Sequence, residues 1–237
     1  MSRNPEQNSL VRETRRKQIL SAALSMYIRY GYHGSDMDAM AEEAQLAKGL
    51  VYYYYKTKRE LFVELFTLMF DKGSAFSDAL LDKSEGMESV RQLMYYTRGM
   101  FYANSNHPRM MQFFLRSPFD AVVVFGPERW AKGARQSNVH RDAVTRIILK
   151  GIEQGSIQPV NASNAANSFW TVFVANLFNY GKLIVGTQEP VEDTAELFQE
   201  AVRFCFQGLG IRRDIWMPYL ESVITENQEG EPVYEGL

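Results

Sequence analysis

Apolar residues recur at the three- and four-residue spacing of α-helices along most of the chain, and the alternation typical of β-strands is almost absent. Ile19, Ala23 and Tyr27, for example, share one face of a helix that the pattern predicts over residues 9–30. The β-branched run at 122–124 is short and lies between two prolines, so it does not predict a strand. The chain is therefore predicted to be all-α, with about nine helices.

The N-terminal segment, residues 1–60, divides into three of these helices. Gly31 ends the first helix, because glycine readily enters the left-handed conformation that follows a helix. Ser35 or Asp36 caps a short second helix, and a third is predicted over residues 47–55 after a tight turn. This is the plan of a helix-turn-helix domain, whose last helix enters the major groove of DNA. A plain three-helix bundle is the alternative.

The third helix contains a run of four tyrosines, residues 52–55. At about 100° per residue these side chains point in all directions, so several of them must face solvent. Phenolic hydroxyls can bind phosphates, and Lys48 can reach a phosphate or a guanine acceptor. Gly49 would let the helix backbone approach a duplex closely. The composition favours a DNA-reading surface, and a partly exposed packing face is the alternative.

These residues resemble the TetR family of bacterial one-component regulators. The segments that carry the resemblance are Gly31-Tyr32, Ser35, 37–44, 48–58 and 60–62. The DNA contacts that the resemblance implies are Lys48, Gly49, Tyr52, Tyr53 and Tyr54, with Ser35 and Lys58 as phosphate clamps. The resemblance also implies that Val51 and Tyr55 hold the third helix to the domain core. It further implies a homodimer that places two recognition helices about one DNA turn apart on a palindromic operator.

The turn before the third helix departs from the family pattern. The family commonly has Gly, an aliphatic residue and Ser or Thr where this chain has Gln45, Leu46 and Ala47. Ala47 cannot cap the helix with a side-chain oxygen, which costs about 1 kcal/mol relative to Ser and removes one phosphate contact. The recognition helix also lacks Arg, Asn and Gln, so DNA shape and methyl contacts would carry much of the specificity.

The charge distribution agrees with a small DNA-binding module on a larger body. The whole chain of 237 residues has a formal net charge of -2, yet residues 1–60 carry ten Lys and Arg against seven Asp and Glu. The basic surplus is therefore local, and it supports nucleic-acid binding only together with the motif.

Two features bear on the compartment. The single cysteine, Cys205, cannot form an intramolecular disulfide, and the first residues lack the apolar segment of a signal peptide, so a cytoplasmic location is expected. Residues 169–186 are strongly apolar but include Asn176, Asn179 and Lys182. A buried or interfacial helix therefore explains them better than a membrane span.

A second helical domain is predicted over residues 61–220, followed by an acidic, flexible tail over 221–237. Its helices are predicted at residues 59–76, 87–104, 108–117, 127–155, 161–186 and 191–208, with breaks at Gly86, Pro108, Pro118, Pro127, 155–159 and Pro190. The resemblance implies that the last two helices form a four-helix bundle with the same pair in the partner subunit.

The resemblance also implies an effector pocket in this second domain. Large adaptable side chains that could line it are Tyr95, Met110, Phe114, Trp130, Trp170, Phe173 and Asn176. Packing in the core is the alternative for each of them. Tyr95 and Asn176 could orient a ligand by hydrogen bonds, and the apolar lining would suit an aromatic or otherwise apolar molecule.

Catalytic and metal-binding motifs are absent from the sequence. The three histidines lie far apart, the lone cysteine offers no thiolate pair, and there is no nucleophile elbow, phosphate loop or dinucleotide fingerprint. No cofactor and no enzymatic activity are expected. The leading hypothesis is a transcriptional repressor released from its operator by a small molecule. The alternatives are an activator or partner-controlled regulator, and a helical small-molecule-binding protein or enzyme with a vestigial DNA domain.

Overall fold

The computed structural model describes residues 5–133, 139–180 and 194–225, and these fold into eleven helices without a strand. The predicted all-α class is therefore confirmed. The helices are α1 (Pro5–Gly34), α2 (Met37–Glu43), α3 (Lys48–Tyr54), α4 (Lys58–Lys83), α5 (Ser89–Asn106), α6 (Pro108–Phe125), α7 (Pro127–Gly133), α8 (Val139–Glu153), α9 (Ala162–Tyr180), α10 (Thr194–Gly208) and α11 (Arg213–Thr225).

Helix α6 continues through Pro118, so the predicted break at this proline is wrong. A proline inside a helix cannot donate to the carbonyl four residues earlier, which here is that of Phe114. The hydroxyl of Ser117 donates to that carbonyl instead, at 3.4 Å. The ring of Pro118 is also exposed, so the helix tolerates it without disturbing the core.

Helix α11 was not predicted from the sequence, and it includes residues 221–225, which form the first part of the predicted tail. Trp216 and Leu220, four residues apart, are both buried and hold α11 to the rest of the fold. The hydroxyl of Tyr219 donates to Glu88 at 2.8 Å. Residues 226–237 lie outside the described part of the chain, as do 134–138, which fall within the helix predicted over 127–155.

The chain divides into two compact units. The first contains the described residues up to Asp71 together with 109–133, and the second contains residues 72–108, 139–180 and 194–225. Helix α4 supplies residues to both. The domain boundaries predicted from the sequence, near residues 60 and 220, remain predictions.

An aromatic cluster forms the core of the first unit. The ring of Tyr27 in α1 packs edge-on against Phe62 and Phe66 in α4, with centroids 5.8 and 5.1 Å away. Phe113 in α6 closes the cluster at 4.9 Å from Phe66. Edge-to-face pairs of this kind stabilise a core beyond the area they bury. The cluster joins α1, α4 and α6 into one body.

The core of the second unit surrounds α5, where Tyr96 is fully buried. Its hydroxyl makes hydrogen bonds with Ser77 at 2.7 Å and with Nδ1 of His140 at 2.8 Å. The His140 ring stacks on Trp170 of α9 at 4.8 Å. Burial lowers the pKa of His140 to about 4, because the apolar surroundings disfavour the charged imidazolium.

The apolar segment at 169–186 is described only as far as residue 180, where it forms the second half of α9. Phe169 and Phe173 of this segment are buried within the second unit. Across residues 5–133, 139–180 and 194–225, no helix combines the length and the apolar character that crossing a membrane requires.

Candidate nucleic-acid interface

The second helix begins at a side-chain cap. Asp36 has an extended backbone, and its carboxylate accepts hydrogen bonds from the amides of Asp38 at 3.0 Å and Ala39 at 3.2 Å. Of the two predicted caps, Asp36 is therefore the one used. Gly31 has a φ of 70°, which interrupts the regular helix where the sequence predicts an end.

The turn between α2 and α3 depends on Gln45, which has a φ of 54°. This left-handed conformation is the one that glycine adopts without strain, and it costs other residues about 1–2 kcal/mol. The amide of Leu46 donates to the carbonyl of Ala41 at 2.9 Å and closes the turn. Gln45, which stands where the family commonly has Gly, therefore adopts this backbone at an energetic cost.

Helix α3 is held by its buried side. Val51 and Tyr55 are 0% and 3% exposed, which places both in the core as the resemblance implies. The hydroxyl of Tyr55 donates to Glu64 in α4 at 2.9 Å, and the same carboxylate oxygen accepts from Arg16 in α1. Burial, reinforced by Glu64, raises the pKa of Tyr55. These contacts fix the orientation of α3.

The opposite side of α3 is exposed. Tyr52 and Tyr53 are 42% and 61% exposed, and Tyr54 is half-buried with its ring 5.5 Å edge-on from that of Tyr53. A side chain at Gly49 would meet nothing within 4 Å. Ala47 begins the helix without a side-chain cap, as expected. Lys48, Gly49, Tyr52 and Tyr53 thus form one solvent-facing surface, which we call the α3 face.

Lys48 has a partner to which the resemblance assigns no role. Its Nζ donates to Oδ2 of Asp38 in α2 at 2.8 Å, and both side chains are about half exposed. The hydrogen bond and the charge of Asp38 raise the pKa of Lys48. The sequence pattern does not reveal this contact, because Asp38 lies ten residues before Lys48 and only the turn brings the two together.

Ser35 and Lys58, the predicted phosphate clamps, both bind the end of α1. The hydroxyl of Ser35 is buried and donates to the carbonyl of Gly31 at 2.6 Å. Nζ of Lys58 donates to the carbonyls of Tyr32 and Ser35, each at 3.0 Å, and lies 4.7 Å from the Tyr32 ring centroid. These side chains therefore satisfy carbonyl groups within the domain, and their phosphate contacts stay predictions.

The predicted effector residues fall in both units. In the first unit Met110 is buried, and the rings of Phe114 and Trp130 lie 6.1 and 6.4 Å from that of Phe70 between centroids. In the second unit Trp170 packs against buried Phe173 at 6.0 Å. Tyr95 is half-buried there, and the Asn176 amide donates to the Val172 carbonyl at 2.8 Å. The effector pocket stays a prediction.

An open cavity of about 440 Å³ lies in the second unit, apart from these side chains. It is lined by Asp78, Val139, Asp142, Thr145 and Arg146. Throughout the part of the chain that the structure describes, no three His, Cys, Asp or Glu side chains gather in a group that could hold a metal ion.

A buried scaffold that presents an exposed, tyrosine-rich third helix defines a helix-turn-helix DNA-binding protein. Residues 19–65 match the family of bacterial regulatory proteins called the tetR family. The N-terminal segment of the chain is therefore similar to the DNA-binding segment of that family.

Relatives extend the match beyond the DNA-binding segment. An uncharacterized HTH-type transcriptional regulator of Bacillus subtilis, YhgD, is 24% identical over 169 residues, which cover 71% of this chain and 85% of YhgD. Among solved structures, a gamma-butyrolactone receptor (ArpA-like protein) aligns with a TM-score of 0.64 at 20% identity, over 90% of this chain and 96% of its own. FadR from Bacillus subtilis, in complex with stearoyl-CoA, aligns with a TM-score of 0.58 at 17% identity, over 81% and 98%. At these identities the structures show a common fold.

Proposed function

We propose that this regulator is a repressor that binds a palindromic operator as a homodimer and leaves it when a small molecule binds the second unit. The single observation that carries the DNA-binding part is the α3 face. Two largely exposed tyrosines beside Lys48 and an open backbone at Gly49 lie on a helix whose other side is firmly buried. Exposed aromatic side chains with a polar tip suit contacts with thymine methyls and phosphates.

The α3 face contacts the major groove in this proposal. Tyr53 is its most exposed tyrosine and reads base edges, while Lys48 donates to a guanine or a phosphate. Gly49 allows the backbone to approach the duplex. In this proposal Ser35 and Lys58 contact phosphates while they also bind carbonyl groups at the end of α1. Lys58→Ala would therefore weaken both DNA binding and folding.

A homodimer is supported by the outer surface of α10. Phe198, Val202 and Phe206 of this helix are buried, whereas Phe204 is 66% exposed. A large aromatic side chain exposed on a helix marks an interaction site when neighbouring surface joins it. We propose that α9 and α10 pair with their copies in a partner subunit and cover Phe204.

Control by an effector is supported by the second unit, which DNA binding alone does not require. Two proteins of similar fold are a gamma-butyrolactone receptor and a regulator solved with stearoyl-CoA. A molecule that binds one conformation of the dimer more tightly shifts the population towards it. We propose that the effector favours a dimer whose recognition helices no longer match the operator spacing.

Selection of genomic DNA fragments on the purified full chain tests the DNA-binding part. The selected operator and random DNA of equal length are then titrated at one salt concentration. We expect Tyr53→Ala to weaken operator binding by about 1–3 kcal/mol and random-DNA binding by much less. Tyr30→Ala is the matched control, because Tyr30 is 53% exposed on α1 and should leave both affinities unchanged.

Equal losses on operator and random DNA for Tyr53→Ala would refute its base-reading role. A wild-type chain that binds no fragment selectively would refute the proposed function itself.

The selected operators also decide between repression and activation, since a repressor's operator overlaps its promoter. Titrating small molecules of graded polarity into the complex tests release, and a panel that never changes operator affinity would argue against effector control.

A further inference from the structure

Asp38 ties α2 to the α3 face across the helix-turn-helix turn. Its carboxylate accepts from Lys48 Nζ at 2.8 Å, and the two side chains remain 45% and 53% exposed. Lys48 is the first residue of α3, so this contact determines where the only lysine of that helix lies. Nothing in the resemblance assigns a role to this aspartate.

The same carboxylate acts on a tyrosine of the α3 face. Partial desolvation and then the charges of Asp38 and Asp36 raise the pKa of Tyr52. Asp36 is committed to capping α2, where its carboxylate accepts from two backbone amides. Glu42 adds negative charge near Lys48 but makes no hydrogen bond with it. Among these three acidic residues, Asp38 therefore is the one that holds the lysine directly.

This arrangement affects two kinds of DNA contact differently. An ammonium group has three donors, so Lys48 can keep its bond to Asp38 while it donates to the O6 or N7 of a guanine. A phosphate at the same place would instead face the Asp38 carboxylate, and the two negative charges would repel each other. Binding to random DNA depends almost wholly on phosphate contacts, so this repulsion lowers it selectively.

We infer that Asp38 is a specificity-determining positioning residue that holds Lys48 towards base edges and discourages its use as a phosphate contact. The inference rests on the proposed function, since it assumes that the α3 face enters the major groove. The pair has little effect on folding, because ion pairs between exposed side chains contribute little to stability.

The test compares Asp38→Asn with Glu42→Gln, which each remove one negative charge from α2. Binding to the selected operator and to random DNA is measured by fluorescence anisotropy at one salt concentration. We expect Asp38→Asn to raise affinity for random DNA about 3–10-fold and to lower the operator-to-random ratio at least about 5-fold. Glu42→Gln should raise both affinities by the same factor and leave the ratio unchanged.

Two further variants separate positioning from a general charge effect. Asp38→Glu keeps the carboxylate and should restore most of the ratio. In a Lys48→Met background, Asp38→Asn should no longer change the ratio, because the residue that Asp38 positions is gone. Thermal melts of each variant establish that the proteins used for binding are folded.

The inference would be overturned if Asp38→Asn changed the affinities for operator and random DNA by the same factor. It would also be overturned if Asp38→Asn lowered the operator-to-random ratio as much in the Lys48→Met background as in the wild-type chain. Either result leaves the proposed function standing, provided that the wild-type chain still selects its operator. If the wild-type chain shows no such selectivity, the proposed function itself is refuted.

Discussion

The guanidinium of Arg116 in α6 donates a 3.1 Å hydrogen bond to the carbonyl of Ile28, three residues before the kink in α1. The same group lies against Gly31, where a Cβ atom would fall 2.6 Å from Nη2. The backbone of Gly31 is left-handed, with a φ of 70°. The backbone conformation therefore favours glycine at this position, and a Cβ atom here would also displace the guanidinium of Arg116.

We expect Gly31→Ala to lower the free energy of unfolding by about 2–3 kcal/mol, from the left-handed conformation and the displaced Arg116 hydrogen bond together. Urea denaturation measures the change. Gly155→Ala is the control, because Gly155 has a φ of 71° but open space around it, so it should lose only about 1–2 kcal/mol. In an Arg116→Ala background the difference between the two glycine substitutions should shrink. An undiminished difference there would argue against the contact.

The missing cap at Ala47 gives a second prediction. Its backbone is extended, with φ -62° and ψ 136°, as an N-cap requires, but its methyl group accepts no hydrogen bond. Ala47→Thr should be more stable than Ala47→Val by about 1 kcal/mol, since the two side chains differ only by the capping hydroxyl. Denaturant midpoints of the two variants measure this difference. Equal midpoints would mean that the Thr hydroxyl does not cap α3.

His140 predicts a dependence of stability on pH. Burial lowers its pKa from about 6.5 to about 4 in the folded state, so the unfolded chain binds the proton more readily. The contribution of neutral His140 to the free energy of unfolding is complete above about pH 6.5. It is lost as the pH falls towards 4, by at most about 3 kcal/mol. Unfolding free energies at pH 7 and pH 4.5 measure the loss.

The His140→Gln variant should lose less stability between these two pH values than the wild-type chain does. His33→Gln is the control, because His33 is exposed and its replacement should leave the pH dependence unchanged. If His140→Gln shows the same pH dependence as the wild-type chain, His140 is not its source.

The proposed dimer predicts that Phe204→Asp yields monomers at micromolar concentration, because a carboxylate would be buried without a partner in the interface. Sedimentation velocity measures the change in mass. Leu149→Asp is the control, since Leu149 is 48% exposed on α8 and lies outside the proposed interface. A Phe204→Asp chain that remains dimeric would place the interface elsewhere.

The local sequence pattern determined most of the helix positions and boundaries in the first unit. The period of its apolar residues predicted α1 to α3, and Gly31 and Asp36 marked boundaries because their preferences act within a few residues. The exposure of Tyr52 and Tyr53 also followed from the sequence, since so short a helix cannot bury four consecutive tyrosines. These features depend on neighbours along the chain, which the sequence shows directly.

Contacts between residues distant along the chain determined which helices pack together. Arg116 reaches Ile28 across 88 positions, and Arg59 donates to the carbonyl of Val124 across 65, so both contacts tie α6 into the first unit.

The contacts of individual polar groups were also decided by tertiary structure. Ser35 and Lys58 bind carbonyl groups at the end of α1, and Asp38 holds Lys48. Spacing along the sequence indicates which face of a helix a residue occupies. It does not indicate which donor and acceptor meet, because that depends on how the helices pack.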